Sequence, residues 1–311
     1  MRISIIGAGA LGCLHGLYLA KGGHDVTMVD IRVDIVEAIE RNGLRVDGVR
    51  GEQAVAVRAA SPETVDGPAD LVIVVVHTDG TVAAAKLAAK LMTENGVAIT
   101  LQNGIGNVEA LTDALGKGRV LGGISYNSAT FISPGQTTHS NAGPTLIGEL
   151  DGTQTQRIEQ MAKSLGPVGD VSICDNIISV IWNKFVQSCA LNGLCALTGL
   201  MAGEIASHPE AEAVRDGAFA EALAVVKAKG ITLSDSDPTA SLKRISSTVF
   251  VRPSMLQHVE QGRVTEIDSQ SGALVREGEA LGVPTPFNEA ITLLVKARAA
   301  HMASVRRRQS R

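Results

Sequence analysis

The start of the chain carries the feature that most restricts its fold. An isoleucine-rich run at residues 2–6 leads into glycines at positions 7, 9 and 12, and a helix-like pattern follows. The spacing G-x-G-x-x-G between a strand and a helix is typical of dinucleotide-binding βαβ units, although a glycine-rich turn without a ligand has the same letters. Gly7 permits the tight turn, Gly9 lets a pyrophosphate approach the backbone, and Gly12 allows the helix to pack closely on the sheet. The predicted phosphate-binding residues are Gly7, Ala8, Gly9, Ala10, Leu11 and Gly12.

An acidic residue ends the second predicted strand, which covers residues 25–30. Asp30 follows Gly12 by eighteen residues, near the distance at which a carboxylate binds the adenosine ribose hydroxyls. Such a carboxylate repels a 2′-phosphate and therefore favours NAD over NADP. Arg32 can instead pair with that phosphate, so NADP stays the alternative. A helix N-cap role for Asp30 is compatible with either cofactor.

Strand and helix patterns alternate along the first half of the chain. Helices are predicted over 10–21, 35–42, 83–92 and 158–165, a hairpin over 44–57, and strands over 69–76, 96–101 and 171–174. This order indicates an α/β, doubly wound Rossmann domain over residues 1–172. Ligands of such sheets bind beyond the carboxyl ends of strands, where Gln102 and Asn103 fall. Strand patterns stop near residue 176, which predicts an all-helical C-terminal domain over 173–311.

Composition excludes several function classes. The 311 residues carry a net charge of −4, whereas a nucleic-acid-binding protein is expected to be basic. The four cysteines form no C-x-x-C pair and show no metal-ligand spacing, which indicates a reducing compartment and no metal site. The longest apolar run, Leu71 to Val76, is too short to cross a membrane. We expect a soluble, cytoplasmic protein with a solvated, arginine-rich tail at residues 306–311.

A long apolar helix, predicted over 177–200, carries three polar side chains on one face. Lys184, Ser188 and Asn192 are spaced i, i+4 and i+8. A lysine in such a helix either needs a partner or a lowered pKa, because burying an ammonium group is costly, or reaches solvent with its long side chain. The spacing leaves both interpretations open.

Four later segments make the chain resemble a known family over essentially its full length. They are Q-N-G-x-G at 102–106, W-x-K at 182–184 with an asparagine eight residues after the lysine, P-S-M at 253–255, and T-E-I-D at 265–268. With the N-terminal glycines, these segments are similar to those of the ketopantoate reductase (2-dehydropantoate 2-reductase) family. The resemblance implies an oxidoreductase of pantothenate biosynthesis, which reduces a small 2-oxo acid with NAD(P)H in a cleft between the two domains.

The resemblance also implies roles for individual residues. Lys184 would protonate the developing alkoxide, and Glu266 would hold Lys184 or a substrate hydroxyl and lie beside the cofactor. The substrate-binding residues would be Asn192, Ser188, Ser254 and Asn103. Further contacts with the cofactor would come from His77, Gln102 and Asn103.

Four positions depart from the usual family pattern. His77 stands in place of a lysine, Ser188 of an asparagine, His258 of an aspartate and Ser271 of an asparagine. Reduction of a 2-oxo acid survives these changes because Lys184 and Glu266 remain, but another 2-oxo or hydroxy acid is an alternative substrate. A non-catalytic nucleotide-binding regulator is the second alternative. Apolar helices in the second half can supply the face of a homodimer.

Overall fold

The computed structural model describes residues 1–250 and 252–309, and the chain forms two compact units. Unit 1 contains Met1–Gln102 and Gly106–Ile178, and unit 2 contains Asn103–Ile105 and the chain from Ser179 on. The boundary predicted between residues 172 and 173 falls within the last strand of unit 1. The grouping of residues 103–105 with unit 2 has no signature in the sequence.

Unit 1 contains two β-sheets and the helices that cover them. Its strands are β1 (Arg2–Ile6), β2 (Asp25–Val29), β3 (Leu44–Gly48), β4 (Gln53–Val55), β5 (Arg58–Ala60), β6 (Ala69–Val74), β7 (Met92–Thr100), β8 (Val120–Ser125), β9 (Ser128–Ser133), β10 (Gln136–Asn141), β11 (Thr145–Glu149) and β12 (Val171–Ile173). Its helices are α1 (Ala10–Lys21), α2 (Val33–Asn42), α3 (Thr81–Leu91), α4 (Asn107–Leu115) and α5 (Gln156–Leu165).

The larger sheet has the strand order β5-β2-β1-β6-β7-β8-β11-β12. From β5 to β8 every neighbouring pair is parallel; β11 runs antiparallel to β8, and β12 parallel to β11. The direction of winding reverses between β1 and β6, which places the ligand crevice of such a sheet at their carboxyl ends. The predicted doubly wound Rossmann fold is confirmed.

The central strands are apolar on both faces because helices cover both sides of a parallel sheet. Ile3 and Ile5 of β1 pair in register with Leu71 and Ile73 of β6, and all four side chains are almost fully buried. The apolar run of residues 71–74 in β6, and the isoleucines of β1 on either side of the buried Ser4, are the reason that these strands could be recognised in the sequence.

The smaller sheet has the order β4-β3-β10-β9 and packs against α1. β3 and β4 are antiparallel, as the predicted hairpin requires. β10 adds to β3 in parallel, and the sheet buries Leu44 and Val46. Helix α1 therefore lies between two sheets, which explains why nearly all of its side chains are apolar.

In the residues that the structure describes, all regular secondary structure of unit 2 is helical. Its helices are α6 (Ile177–Thr198), which starts in unit 1, then α7 (Pro209–Ala228), α8 (Pro238–Thr248), α9 (Ser254–Glu260), α10 (Ser271–Leu281) and α11 (Pro286–Gln309). One part of its core joins Ala196, Ala218, Met255 and Ile291 from four of these helices. The expectation of an all-helical second domain is confirmed.

The observed bounds differ from the predicted ones by a few residues. The strand predicted over 69–76 ends at Val74, although Val75 N still donates to Ile6 O at 2.9 Å. The strand predicted from residue 96 starts at Met92, where the preceding helix was expected to end. None of the helices in the described ranges is both long enough and apolar enough to cross a membrane.

Candidate active site

Of the three motif glycines in the loop between β1 and α1, only Gly9 has open space beside its Cα atom. Gly7 has a φ of +108°, and a Cβ atom there would lie 2.8 Å from the carbonyl carbon of Val75. A Cβ on Gly12 would lie 1.9 Å from the Gly7 carbonyl oxygen. A Cβ on Gly9, in contrast, would meet no protein atom within 4 Å. Two glycines are thus required by packing, and the third keeps the space in front of the loop clear.

The N-terminus of α1 adjoins this space. The first N–H groups of a helix, here those of Ala10, Leu11 and Gly12, have no acceptor within the helix. Among the described residues, no side chain caps α1 and no acidic residue lies in its first turn. An uncapped helix start with a clear approach is a favourable site for phosphate oxygens. The predicted loop residues therefore fit the diphosphate of a dinucleotide.

Asp30 joins the end of β2 to the glycine loop. Its carboxylate accepts the backbone N–H of Ala8 at 2.8 Å and that of Arg32 at 2.9 Å. These bonds fix the half-buried carboxylate. An ionised carboxylate has about four acceptor sites, so Asp30 can also accept hydrogen bonds from ribose hydroxyls.

Arg32 is paired with an acidic residue that the sequence analysis missed. Its Nε lies 3.1 Å from Asp34 Oδ1, and its Nη2 lies 2.5 Å from Asp34 Oδ2. Both side chains are exposed. Asp34 thus competes with a 2′-phosphate for this guanidinium group and adds negative charge near Asp30. The signal in the sequence was a second aspartate four residues after the first.

Gln102 and His77 lie at the ends of neighbouring strands. The Gln102 side chain is buried, and its Nε2 donates to Val76 O and to Thr81 Oγ1, both at 2.8 Å. It fixes the segment after β6 against the start of α3. His77 is exposed on that segment. Cofactor binding by these two residues stays a prediction.

In unit 2, α6 presents Lys184, Ser188 and Asn192, all half-buried, on one face. The pKa of Lys184 is lowered from 10.5 to about 8, because the lowering effect of burial exceeds the raising effect of the negative charge of Glu266. Of the two interpretations left open by the spacing, the structure favours a desolvated lysine with an acidic neighbour. Such an ammonium group loses its proton far more readily than one in water.

Glu266 links Lys184 to the segment that follows β7. It precedes a short 3₁₀ turn, Ile267–Ser269, and its Oε2 accepts a hydrogen bond from Asn103 Nδ2 at 3.3 Å. Asn103 belongs to unit 2 by its contacts. The structure thus brings together Lys184, Glu266 and Asn103, which lie far apart in the sequence.

Asn192 has a partner that the sequence analysis missed. Its Nδ2 donates to Gln270 Oε1 at 2.8 Å, and Gln270 is 1% exposed. The adjacent Ser271 is also buried, and its Oγ donates to Cys189 O at 3.4 Å. A lone glutamine in a turn has no periodic pattern, so nothing in the sequence distinguished Gln270.

Ser254 and His258 lie on the short helix α9. Ser254 is its first residue and is exposed, and His258 is half-buried one turn later. Substrate binding by Ser254 stays a prediction. In residues 1–250 and 252–309, no group of three or more His, Cys, Asp or Glu side chains is arranged to hold a metal ion.

Comparison with known proteins assigns the family. The model "Ketopantoate reductase PanE/ApbA" matches residues 3–152, and its C-terminal counterpart matches residues 176–299. A 2-dehydropantoate 2-reductase of Archaeoglobus fulgidus is 32% identical over 297 residues, which cover 95% of this chain and 97% of that protein.

Two solved structures share the whole fold. A PanE/ApbA family ketopantoate reductase from Ralstonia eutropha is 32% identical, with a TM-score of 0.88 over 97% of this chain and 100% of that one. A D-mandelate dehydrogenase in a ternary structure with NADH and anilino(oxo)acetate is 25% identical, with a TM-score of 0.90 over the same shares. The chain is an oxidoreductase that belongs to the ketopantoate reductase family.

Proposed function

We propose that this protein reduces 2-dehydropantoate to pantoate, with NADH preferred over NADPH and with Lys184 as the proton donor. The observation that carries the proposal is the desolvated Lys184 beside the charge of Glu266, with a pKa of about 8. A general acid works best when its pKa is near the working pH. The curated relatives that carry the name 2-dehydropantoate 2-reductase support the choice of substrate.

The reaction adds a hydride to C2 of the 2-oxo acid and a proton to its carbonyl oxygen. When bound, reduced nicotinamide supplies the hydride. Lys184 Nζ donates the proton, and its positive charge stabilises the negative charge that develops on that oxygen. The N–H bond of the ammonium breaks as the O–H bond of the alcohol forms, which leaves a neutral lysine that solvent reprotonates.

The other candidate residues hold the reactants. Glu266 keeps Lys184 charged between turnovers, and Asn103 fixes the Glu266 carboxylate through their hydrogen bond. Asn192 orients the 2-oxo acid from the same face of α6. Ser188 and Ser254 offer hydroxyl groups to the substrate carboxylate or to a substrate hydroxyl.

The preference for NADH follows from charge at the end of β2. Asp30 is held by two backbone N–H groups, and its negative charge favours ribose hydroxyls over a phosphate as a partner. Arg32, the cation predicted to pair with a 2′-phosphate, is hydrogen-bonded to Asp34 instead. A 2′-phosphate would have to displace one carboxylate and approach another.

A second substrate class has an observation of its own. D-mandelate dehydrogenase, whose structure holds NADH and anilino(oxo)acetate, matches this chain over nearly its full length. Ser188, His258 and Ser271 depart from the ketopantoate reductase pattern in segments that carry candidate substrate residues. A 2-oxo acid with a bulkier or aromatic substituent is therefore the alternative substrate.

A steady-state survey tests substrate and cofactor together. The value of kcat/KM is measured for 2-dehydropantoate and for smaller, bulkier and aromatic 2-oxo acids, each with NADH and with NADPH. We expect the highest value for 2-dehydropantoate with NADH. A higher kcat/KM for an aromatic 2-oxo acid would identify that acid, rather than 2-dehydropantoate, as the substrate. A higher kcat/KM with NADPH would overturn the interpretation of Asp30. Tight NADH binding with no turnover of any acid would support the regulator instead.

The role of Lys184 is tested by Lys184→Ala. We expect kcat to fall by about 10²- to 10⁴-fold, the usual effect of removing a general acid, while the Kd for NADH stays unchanged by fluorescence titration. The matched control is Lys227→Ala, which removes an exposed lysine of α7 and leaves kcat unchanged. Turnover near the wild-type rate in Lys184→Ala would contradict the mechanism.

A further inference from the structure

We infer that Gln270 is a positioning residue for the substrate, acting through Asn192. The inference rests on the proposed function, in which Asn192 orients the 2-oxo acid. Gln270 immediately precedes α10 and lies four residues after Glu266. The segment that supplies the acidic partner of Lys184 thus also supplies an amide partner for Asn192.

The contact is short and partly buried. Asn192 Nδ2 donates to Gln270 Oε1 at 2.8 Å, and Gln270 is 1% exposed. Asn192 lies two turns of α6 after Lys184, about 12 Å along the helix axis. Bonding to Gln270 fixes the plane of the Asn192 carboxamide, and with it the direction in which its Oδ1 and second N–H point.

Gln270 is held in a way that stability alone does not explain. Its Nε2 is buried and has no hydrogen-bond partner among the described residues. A buried amide N–H without an acceptor is destabilising, and the bond to Asn192 involves only the other end of this amide, Oε1. An unsatisfied buried polar group in a native protein calls for an explanation, and a functional role is one such explanation. At position 270 that reason is the orientation of Asn192.

The neighbouring residue cannot take this role. The Ser271 hydroxyl is buried and donates to the carbonyl oxygen of Cys189, which turns it toward the α6 backbone. Of the two adjacent polar side chains, Gln270 is the one that reaches the face of α6 with Lys184 and Asn192. The side chain of residue 270 therefore sets how firmly the substrate-orienting amide is held.

The test is Gln270→Met, which keeps the length of the side chain and removes both polar atoms. The substrate is whichever 2-oxo acid the wild-type enzyme reduces best in the survey above. We expect its KM to rise about five- to tenfold, the effect of losing one hydrogen bond, with kcat and the Kd for NADH little changed. The melting temperature should change little, because the variant removes the unsatisfied Nε2 of Gln270 but also takes the acceptor from Asn192 Nδ2.

A double-mutant cycle separates positioning from general packing. If Gln270 acts through Asn192, then Asn192→Ala and Asn192→Ala/Gln270→Met have the same KM. The matched control is Asn288→Leu, because Asn288 is also a buried amide and its Nδ2 donates to Ala218 O and Glu221 Oε2. That variant should show the opposite pattern, with a lower melting temperature and an unchanged KM.

Three other outcomes would contradict a positioning role for Gln270. An unchanged KM in Gln270→Met, or additive effects in the cycle, would remove the positioning role and leave the proposed function intact. A fall in melting temperature with no selective change of KM would make Gln270 a structural residue. If the wild-type enzyme reduces no 2-oxo acid, both the proposed function and the inference fail.

Discussion

At the residue scale, the charge of Glu266 determines how firmly Lys184 keeps its proton. Burial lowers the pKa of Lys184 and the charge of Glu266 raises it, and the net result is a pKa of about 8. In Glu266→Gln the burial remains and the charge is lost, so the pKa of Lys184 falls further. In the proposed mechanism Lys184 must be protonated to act, so kcat/KM for reduction declines as the pH rises through this pKa. The decline should therefore begin at a lower pH in the variant than in the wild type.

The pH dependence of kcat/KM, measured from about pH 6 to pH 10 to span both protonation states of Lys184, checks this expectation. Glu279→Gln removes an exposed carboxylate of α10 and should leave the profile in place. If the alkaline decline stays at the same pH in Glu266→Gln, the coupling of the two residues does not control the reaction.

Individual residues differ in how far the sequence could reveal them. Lys184 was recognisable because an ammonium group stood in an apolar helix, and Asp30 because of its distance from the glycines. The hydrogen bonds from Ala8 to Asp30 and from Asn192 to Gln270 could not be predicted from the sequence, since each joins groups whose proximity depends on tertiary packing. Glu266 was found through family resemblance, not through any local pattern.

At the element scale, α1 carries a buried histidine that makes its packing sensitive to acid. His15 is fully buried, and its Nδ1 donates to Leu11 O at 2.9 Å. Burial lowers the pKa of His15 from 6.5 to about 4, so the folded protein keeps it neutral at pH values where the unfolded chain binds a proton. Its contribution is complete above about pH 6.5 and is lost as the pH falls toward 4, a change of about 3 kcal/mol.

His15→Gln removes this titrating group from α1. We expect the free energy of unfolding of the variant to fall less than that of the wild type between about pH 7 and about pH 4.5, a range that covers most of the titration. Urea denaturation followed by circular dichroism gives the comparison, and His301→Gln, at an exposed position of α11, is the control. Equal losses in wild type and His15→Gln would show that His15 does not contribute to the acid sensitivity.

The bounds of α1 were predictable, and the sheet it packs against was only partly so. Gly9 and Gly22 mark the two ends of the helix, and local signals of this kind can be read from the letters. The hairpin of β3 and β4 is also local. The parallel pairing of β10 with β3 joins segments far apart in the chain, and its register depends on burial against α1 rather than on either strand alone.

At the scale of the whole molecule, the alternation of strands and helices followed by helices alone was enough to predict two units of different class. The place where the chain changes unit was harder to predict. Residues 103–105 group with unit 2 although they directly follow β7 and Gln102 of unit 1. A Cβ atom on Gly104 would lie 2.3 Å from Ser269 O. This close approach, within unit 2, is a tertiary contact with no counterpart in local periodicity.

The melting temperature of the whole protein separates the two uses of glycine in the first loop. In the proposed function, NADH in excess stabilises the folded state by mass action, about 2.7 kcal/mol at 100 times its Kd. Gly9→Ala places its Cβ in open space, so the melting temperature without NADH should be unchanged while the rise caused by NADH becomes smaller. Gly12→Ala places its Cβ 1.9 Å from Gly7 O and should lower the melting temperature with or without NADH. A full NADH-induced rise in Gly9→Ala, measured by scanning calorimetry, would mean that the pyrophosphate does not approach the loop at Gly9.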